Sequence, residues 1–87
     1  MAQEAAFSII LMTPEWAERL TQNVANAARV DARLVLTYSK DMAAGLWKLN
    51  GEPIILSKTG KVLSGRLRLH ACVKAGKPFP TLLVENI

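Results

Sequence analysis

Cysteine is almost absent from this sequence, with Cys72 standing alone. A single thiol excludes an internal disulfide and any multi-cysteine zinc site, and a reducing, cytoplasmic setting is expected. His70 is also alone, so no pair of imidazoles exists for a metal centre. Long apolar runs are missing as well. The longest, Ala5 to Met12, is broken by Ser8 and is far too short to span a bilayer. Glu4 precedes it where a secretory signal would carry positive charge. No membrane association is expected. The stretch 53–84 holds no Asp or Glu. Metal-assisted phosphoryl chemistry there would need carboxylates brought in by the fold from Glu15, Glu18, Asp31, Asp41 or Glu52.

What is present is apolar. The chain has 87 residues, 51% of them hydrophobic. Mean hydropathy is +0.18. That length implies one domain over 1–87. The composition excludes a disordered chain, a basic tail and a solvated linker. A chain this short has much surface and little interior, so some apolar residues must find a use outside the core.

Charge divides the chain in two. Eleven basic residues against seven acidic give a net +4. Residues 1–52 carry five basic and six acidic groups, net −1. Residues 53–87 carry Lys58, Lys61, Arg66, Arg68, Lys74 and Lys77 against Glu85, net +5.

The element pattern runs β-α-α-β-β-α-β, an α+β fold with a small mixed sheet packed by three helices. Ala5–Met12 reads as a buried strand. Thr13, Pro14 and Glu15 supply a cap, a first-turn proline and an acid for the positive helix end. The helix they open carries Trp16, Leu20, Val24 and Ala27 on one stripe. Asp31 caps a second helix reaching about Ala44, with Leu34, Tyr38 and Met42 every four residues and Gly45 as its stop. Tyr38, Trp16 and Trp47 read as core aromatics. Glu52–Ser57 and Val62–Leu63 read as strands flanking the polar turn Lys58-Thr59-Gly60-Lys61. A third helix covers about Gly65 to Ala75, ended by Gly76 and Pro78. Thr81–Val84 is the last strand. The final strand–helix–strand unit is expected to be a right-handed crossover if its strands are parallel neighbours.

The segment richest in chemistry is Ser64-Gly65-Arg66-Leu67-Arg68-Leu69-His70. A strand ends, glycine follows, and a helix opens with two arginines in its first turn. Cations are unfavourable there unless an anion shares the site. Glycine permits close approach of a phosphate to the backbone. At about 100° per residue, Leu69, Cys72, Val73 and Gly76 face the core. Arg66, His70 and Lys74 form a basic stripe. The stripe can equally be a solvated face, and Cys72 reads as a small buried apolar group. Leu67, Ala71 and Ala75 make a second apolar line with no use in a monomer. Leu36, Leu46 and Leu49 add to that surplus.

Two stretches resemble the ParB/sulfiredoxin-like superfamily, in particular its small phage- and plasmid-type members. One runs from Thr13-Pro14-Glu15 through Ala17-Glu18, Leu20, Asn23, Tyr38, Asp41-Met42, Gly45 and Trp47 to Gly51-Glu52-Pro53-Ile54. The other is Gly60 with Leu63-Ser64-Gly65-Arg66-Leu67-Arg68-Leu69, where relatives carry D-G-Q-H-R-L. Together they cover about residues 5–85. The second motif is degraded. Ser64 replaces the usual Asp, Arg66 the Gln and Leu67 the His. Gly65, Arg68 and Ala71 survive as G-x-x-R-x-x-A. The resemblance implies phosphate contacts by Gly65 and Arg68. Sulfiredoxin places its cysteine where this chain has Arg66, which argues against that activity.

Three functions stay open. The first is a non-catalytic ParB-like module of a mobile genetic element. It would bind nucleic-acid phosphates in DNA-related regulation through Ser64, Gly65, Arg66, Arg68, His70 and Lys74. The second is a nucleotide-binding protein holding a nucleoside triphosphate at the Gly65–Arg68 helix start. The third is an interaction protein that has lost the family site and forms a homodimer through Leu67, Ala71 and Ala75.

Overall fold

The computed structural model describes residues 4–24, 29–49 and 51–87. In chain order the elements are β1 (Ala6–Met12), α1 (Pro14–Thr21), α2 (Ala32–Ala43), β2 (Pro53–Leu56), β3 (Val62–Ser64), α3 (Arg66–Ala75) and β4 (Phe79–Glu85). This is the expected α+β layout with a four-stranded mixed sheet.

The strand order is β1-β4-β2-β3. β1 runs antiparallel to β4, β4 parallel to β2, and β2 antiparallel to β3. The last strand therefore inserts between the first and second. β3 and β4 are not neighbours, so the condition for a crossover between them is not met. The parallel neighbours are β2 and β4, joined through β3 and α3.

Register sorts the side chains into two faces, because neighbours in a strand alternate. Met12 pairs with Phe79, Ser8 with Leu83, and Ile54 with Leu83, which places Met12, Phe79, Leu83 and Ile54 on one face. All four are buried, and they form one core with Ala17 and Leu20 of α1, Met42 of α2, and Leu69, Ala71 and Cys72 of α3. The helices thus make a single layer on one side of the sheet. The other face carries Phe7, Ile9 and Leu11, paired with Val84, Leu82 and Pro80.

The N-terminal strand departs from expectation. β1 lies at the sheet edge, and Phe7, Ile9 and Leu11 are exposed. An apolar run with two β-branched residues looks buried in sequence whether one face or both are covered. Only the topology reveals that a single face is packed.

The first helix is also shorter than its apolar stripe suggested. Thr13 caps it, accepting from the Trp16 amide, and it stops at Thr21 with Gln22 as its C-terminal cap. The chain then turns to meet β3. The Val62 amide donates to the Asn23 carbonyl at 2.9 Å, and Val24 bridges to Val62. Val24 therefore adds to the stripe from a sheet-like position. Ala27 lies outside the described residues.

The second helix matches its expected bounds, with Asp31 accepting from the amides of Arg33 and Leu34. Leu34 is exposed, whereas Tyr38 and Met42 pack on the core. Trp47 stands edge-on to both Tyr38 and Phe79, with ring centroids 5.1 and 5.9 Å apart. These edge-to-face contacts tie the segment after α2 to the start of β4. Gly76 ends α3 at φ +67, its amide returning to the Cys72 carbonyl.

Candidate phosphate-binding site

β3 ends at Ser64, and the chain must turn sharply to start α3 at Arg66. Gly65 makes that turn at φ +96, a left-handed conformation that disfavours any side chain. Space is equally restrictive. A Cβ on Gly65 would lie 2.3 Å from Ile54 Cδ1 and 3.2 Å from Ile54 Cα. The glycine is thus required by close packing of the α3 start on β2. As a cap it offers α3 no side-chain acceptor.

Arg68 points back toward the same strand. Its guanidinium donates to the Glu52 carbonyl at 2.7 Å and to the Pro53 carbonyl at 3.1 Å. Burial lowers its pKa from the ordinary value, opposed by the charge of Glu52 and then by Tyr38. The guanidinium stays protonated and fastens the start of β2 to the start of α3. Gly65 and Arg68, the pair singled out by the resemblance, therefore both hold β2 in place. The phosphate contact that the resemblance implies for Arg68 would have to share a guanidinium that already holds two carbonyls.

A cavity of about 410 Å³ opens at the start of α3. Arg29, Val30 and Asp31 form one wall, and Leu63, Ser64, Gly65, Arg66 and Leu67 form another. A second cavity of about 380 Å³ follows along α3, lined by Thr21, Val30, Val35, His70, Val73 and Lys74. Val30 borders both, so the two form neighbouring hollows on one side of the helix. Of the expected phosphate-site residues, Ser64, Gly65 and Arg66 border the first and His70 and Lys74 the second. Arg68 borders neither.

The hollows are basic. Arg29, Arg66 and Lys74 contribute cations. Among the described residues Asp31 is the one carboxylate bordering them, and it already accepts from two α2 amides. Burial, and then the charge of Arg66, push the His70 pKa below its ordinary value. The imidazole is therefore neutral at neutral pH and joins the cations only in acid. Arg29 was not among the expected site residues. It lies far from the motif in sequence, next to no pattern, and only the fold brings the α2 entry to the α3 start.

The structure divides the expected oligomer line. Ala71 is fully buried in the core, and Ala75 packs partly buried against it. Leu67 borders the first cavity. The helix is wedged between the sheet and both other helices, so its buried arc is wider than one apolar line suggests. Val73, assigned to the core face, is exposed. Cys72 is buried, with its thiol against the carbonyls of Lys77 and Met12 at 3.3 and 3.6 Å. Burial, and then Glu15, raise its pKa to about 11, so it is an unreactive thiol at neutral pH.

Among the described residues no group of His, Cys, Asp and Glu is arranged to hold a metal ion, and no helix is long and apolar enough to cross a membrane. Comparison with protein-family models, curated proteins and solved structures finds no match to this chain.

Proposed function

We propose that this chain is a non-catalytic module that binds nucleic-acid phosphates along α3, in the manner of a ParB-like domain of a mobile genetic element acting in DNA-related regulation. One observation carries the reading. Two adjoining hollows on α3 bring together Arg29, Arg66 and Lys74, and the one carboxylate that borders them among the described residues is engaged by backbone amides. Cations spaced along a groove contact a phosphate backbone without reading bases. The T-P-E-x-A-E start and the surviving Gly65 and Arg68 support the family side of this reading. Here, however, the phosphate-facing residues are Arg29, Arg66 and Lys74 in place of Arg68. Fluorescence anisotropy with a labelled duplex tests it. Binding at low salt is expected, and no binding at low salt removes the reading.

The size of the first hollow favours a second reading. About 410 Å³ falls within the roughly 300–1,000 Å³ of small-ligand sites. A nucleoside triphosphate with its phosphates at the α3 start would stabilise the fold by mass action. A thermal-shift panel of CTP, ATP and GTP, with and without magnesium, separates the two. A shift with nucleotide and no duplex binding favours the second.

A further inference from the structure

On the sheet face away from the helices, the β1 side chains lie open to solvent. Phe7 and Ile9 are 69% exposed and Leu11 is 59% exposed. By register these three stand beside Val84, Leu82 and Pro80 of β4, and next to Val84 and Leu82 come Ile55 and Pro53 of β2. Every one of these residues is apolar. Val84 is buried yet lies outside the helix-side core, so this face already shelters some of its own surface.

The strand is not built like one that faces water. β1 reads Ala-Phe-Ser-Ile-Ile-Leu-Met, with no charge and no proline. Its register with β4 is unbroken from Ala6 to Met12, and its other edge is unpaired in the sheet. Exposed edge strands normally carry charges, prolines or bulges that discourage association. None of these guards is present.

We propose that a second copy of this chain covers the face, the two sheets packing around a twofold axis near Ile9. Area supports that occupant. At roughly 200 Å² for a large side chain, Phe7, Ile9 and Leu11 alone leave about 400 Å² open. With the partly covered Leu82, Pro80, Ile55 and Pro53 the face reaches on the order of 500 Å². Two copies would then remove about 1,000 Å², the least a specific interface needs. A neutral apolar sheet face selects no partner by charge sign. It is its own complement, as twofold symmetry requires. Aligned sheets pack in this way in sandwiches. The arrangement leaves both helical layers, and both sets of α3 hollows, on the outside.

Sedimentation equilibrium of the full chain over a concentration series tests this, with Ile9→Lys and Phe7→Gln as variants. Far-UV circular dichroism verifies that each variant is folded, which their exposed positions allow. The native chain is expected to weigh twice 9.5 kDa, and both variants 9.5 kDa with unchanged spectra. A native monomer at every concentration overturns the proposal. So does a dimer that persists in both folded variants, since another surface would then be responsible. Open-ended assemblies overturn it too, because a twofold packing of faces closes at two copies.

Discussion

Gly65 leaves no room for a methyl group, because Ile54 fills the position a Cβ would take. Its φ of +96 adds backbone strain for any other residue. Gly65→Ala combines overpacking with that strain, and is expected to lower stability by about 3 kcal/mol in urea unfolding. Arg68 is the second such residue. Lysine keeps the charge but cannot donate to the Glu52 and Pro53 carbonyls as a planar fork does. Arg68→Lys is expected to cost about 1–2 kcal/mol of stability while leaving duplex affinity within about twofold once the protein is folded. A large loss of affinity in a fully folded variant would return Arg68 to the phosphate site. The G-x-x-R spacing was legible in the sequence, but its purpose was not. The same pattern serves a close approach by phosphate or a close approach by another strand. What distinguishes them is the position of Ile54, which no local spacing reveals.

At the scale of elements, the caps were legible and the surroundings were not. Thr13 and Asp31 mark their helices because each supplies an oxygen to backbone amides within three residues, a purely local chemistry. The end of α1 depends instead on β3, which draws Asn23 and Val24 out of the helical path. The exposed face of β1 depends on which side the helices take. Both are long-range facts. Asp31 connects the two levels, since it caps α2 and borders the first hollow. Asp31→Ala removes a cap, and is expected to cost about 1 kcal/mol in thermal or urea unfolding. It also removes the carboxylate from a basic site. The folded variant is therefore expected to bind the duplex several-fold more tightly than the native chain at low salt. A variant that loses both stability and affinity would place Asp31 among the groups that build the site.

Across the whole molecule, the +5 charge of residues 53–87 is shared between the β2–β3 turn, at Lys58 and Lys61, and α3 with its flanks. Net charge alone does not choose between these surfaces, but counter-ion release does. Each phosphate neutralised by a cation contributes about −0.9 to the slope of log affinity against log salt. Three contacts, from Arg29, Arg66 and Lys74, give a slope near −2.7, or about a 40-fold loss between 50 and 200 mM salt. His70 adds nothing at neutral pH because its pKa is depressed. As pH falls through that lowered pKa the imidazole gains charge, so the slope steepens toward four contacts. Arg29→Gln with Lys74→Gln removes two contacts, and is expected to flatten the slope to about −1 at neutral pH. Lys58→Gln with Lys61→Gln removes the same charge from the turn and is expected to leave the slope near −2.7. Anisotropy titrations across a salt series read all three. If the turn variant flattens the slope and the α3 variant does not, the phosphates follow the β2–β3 turn and the hollows on α3 are not their site.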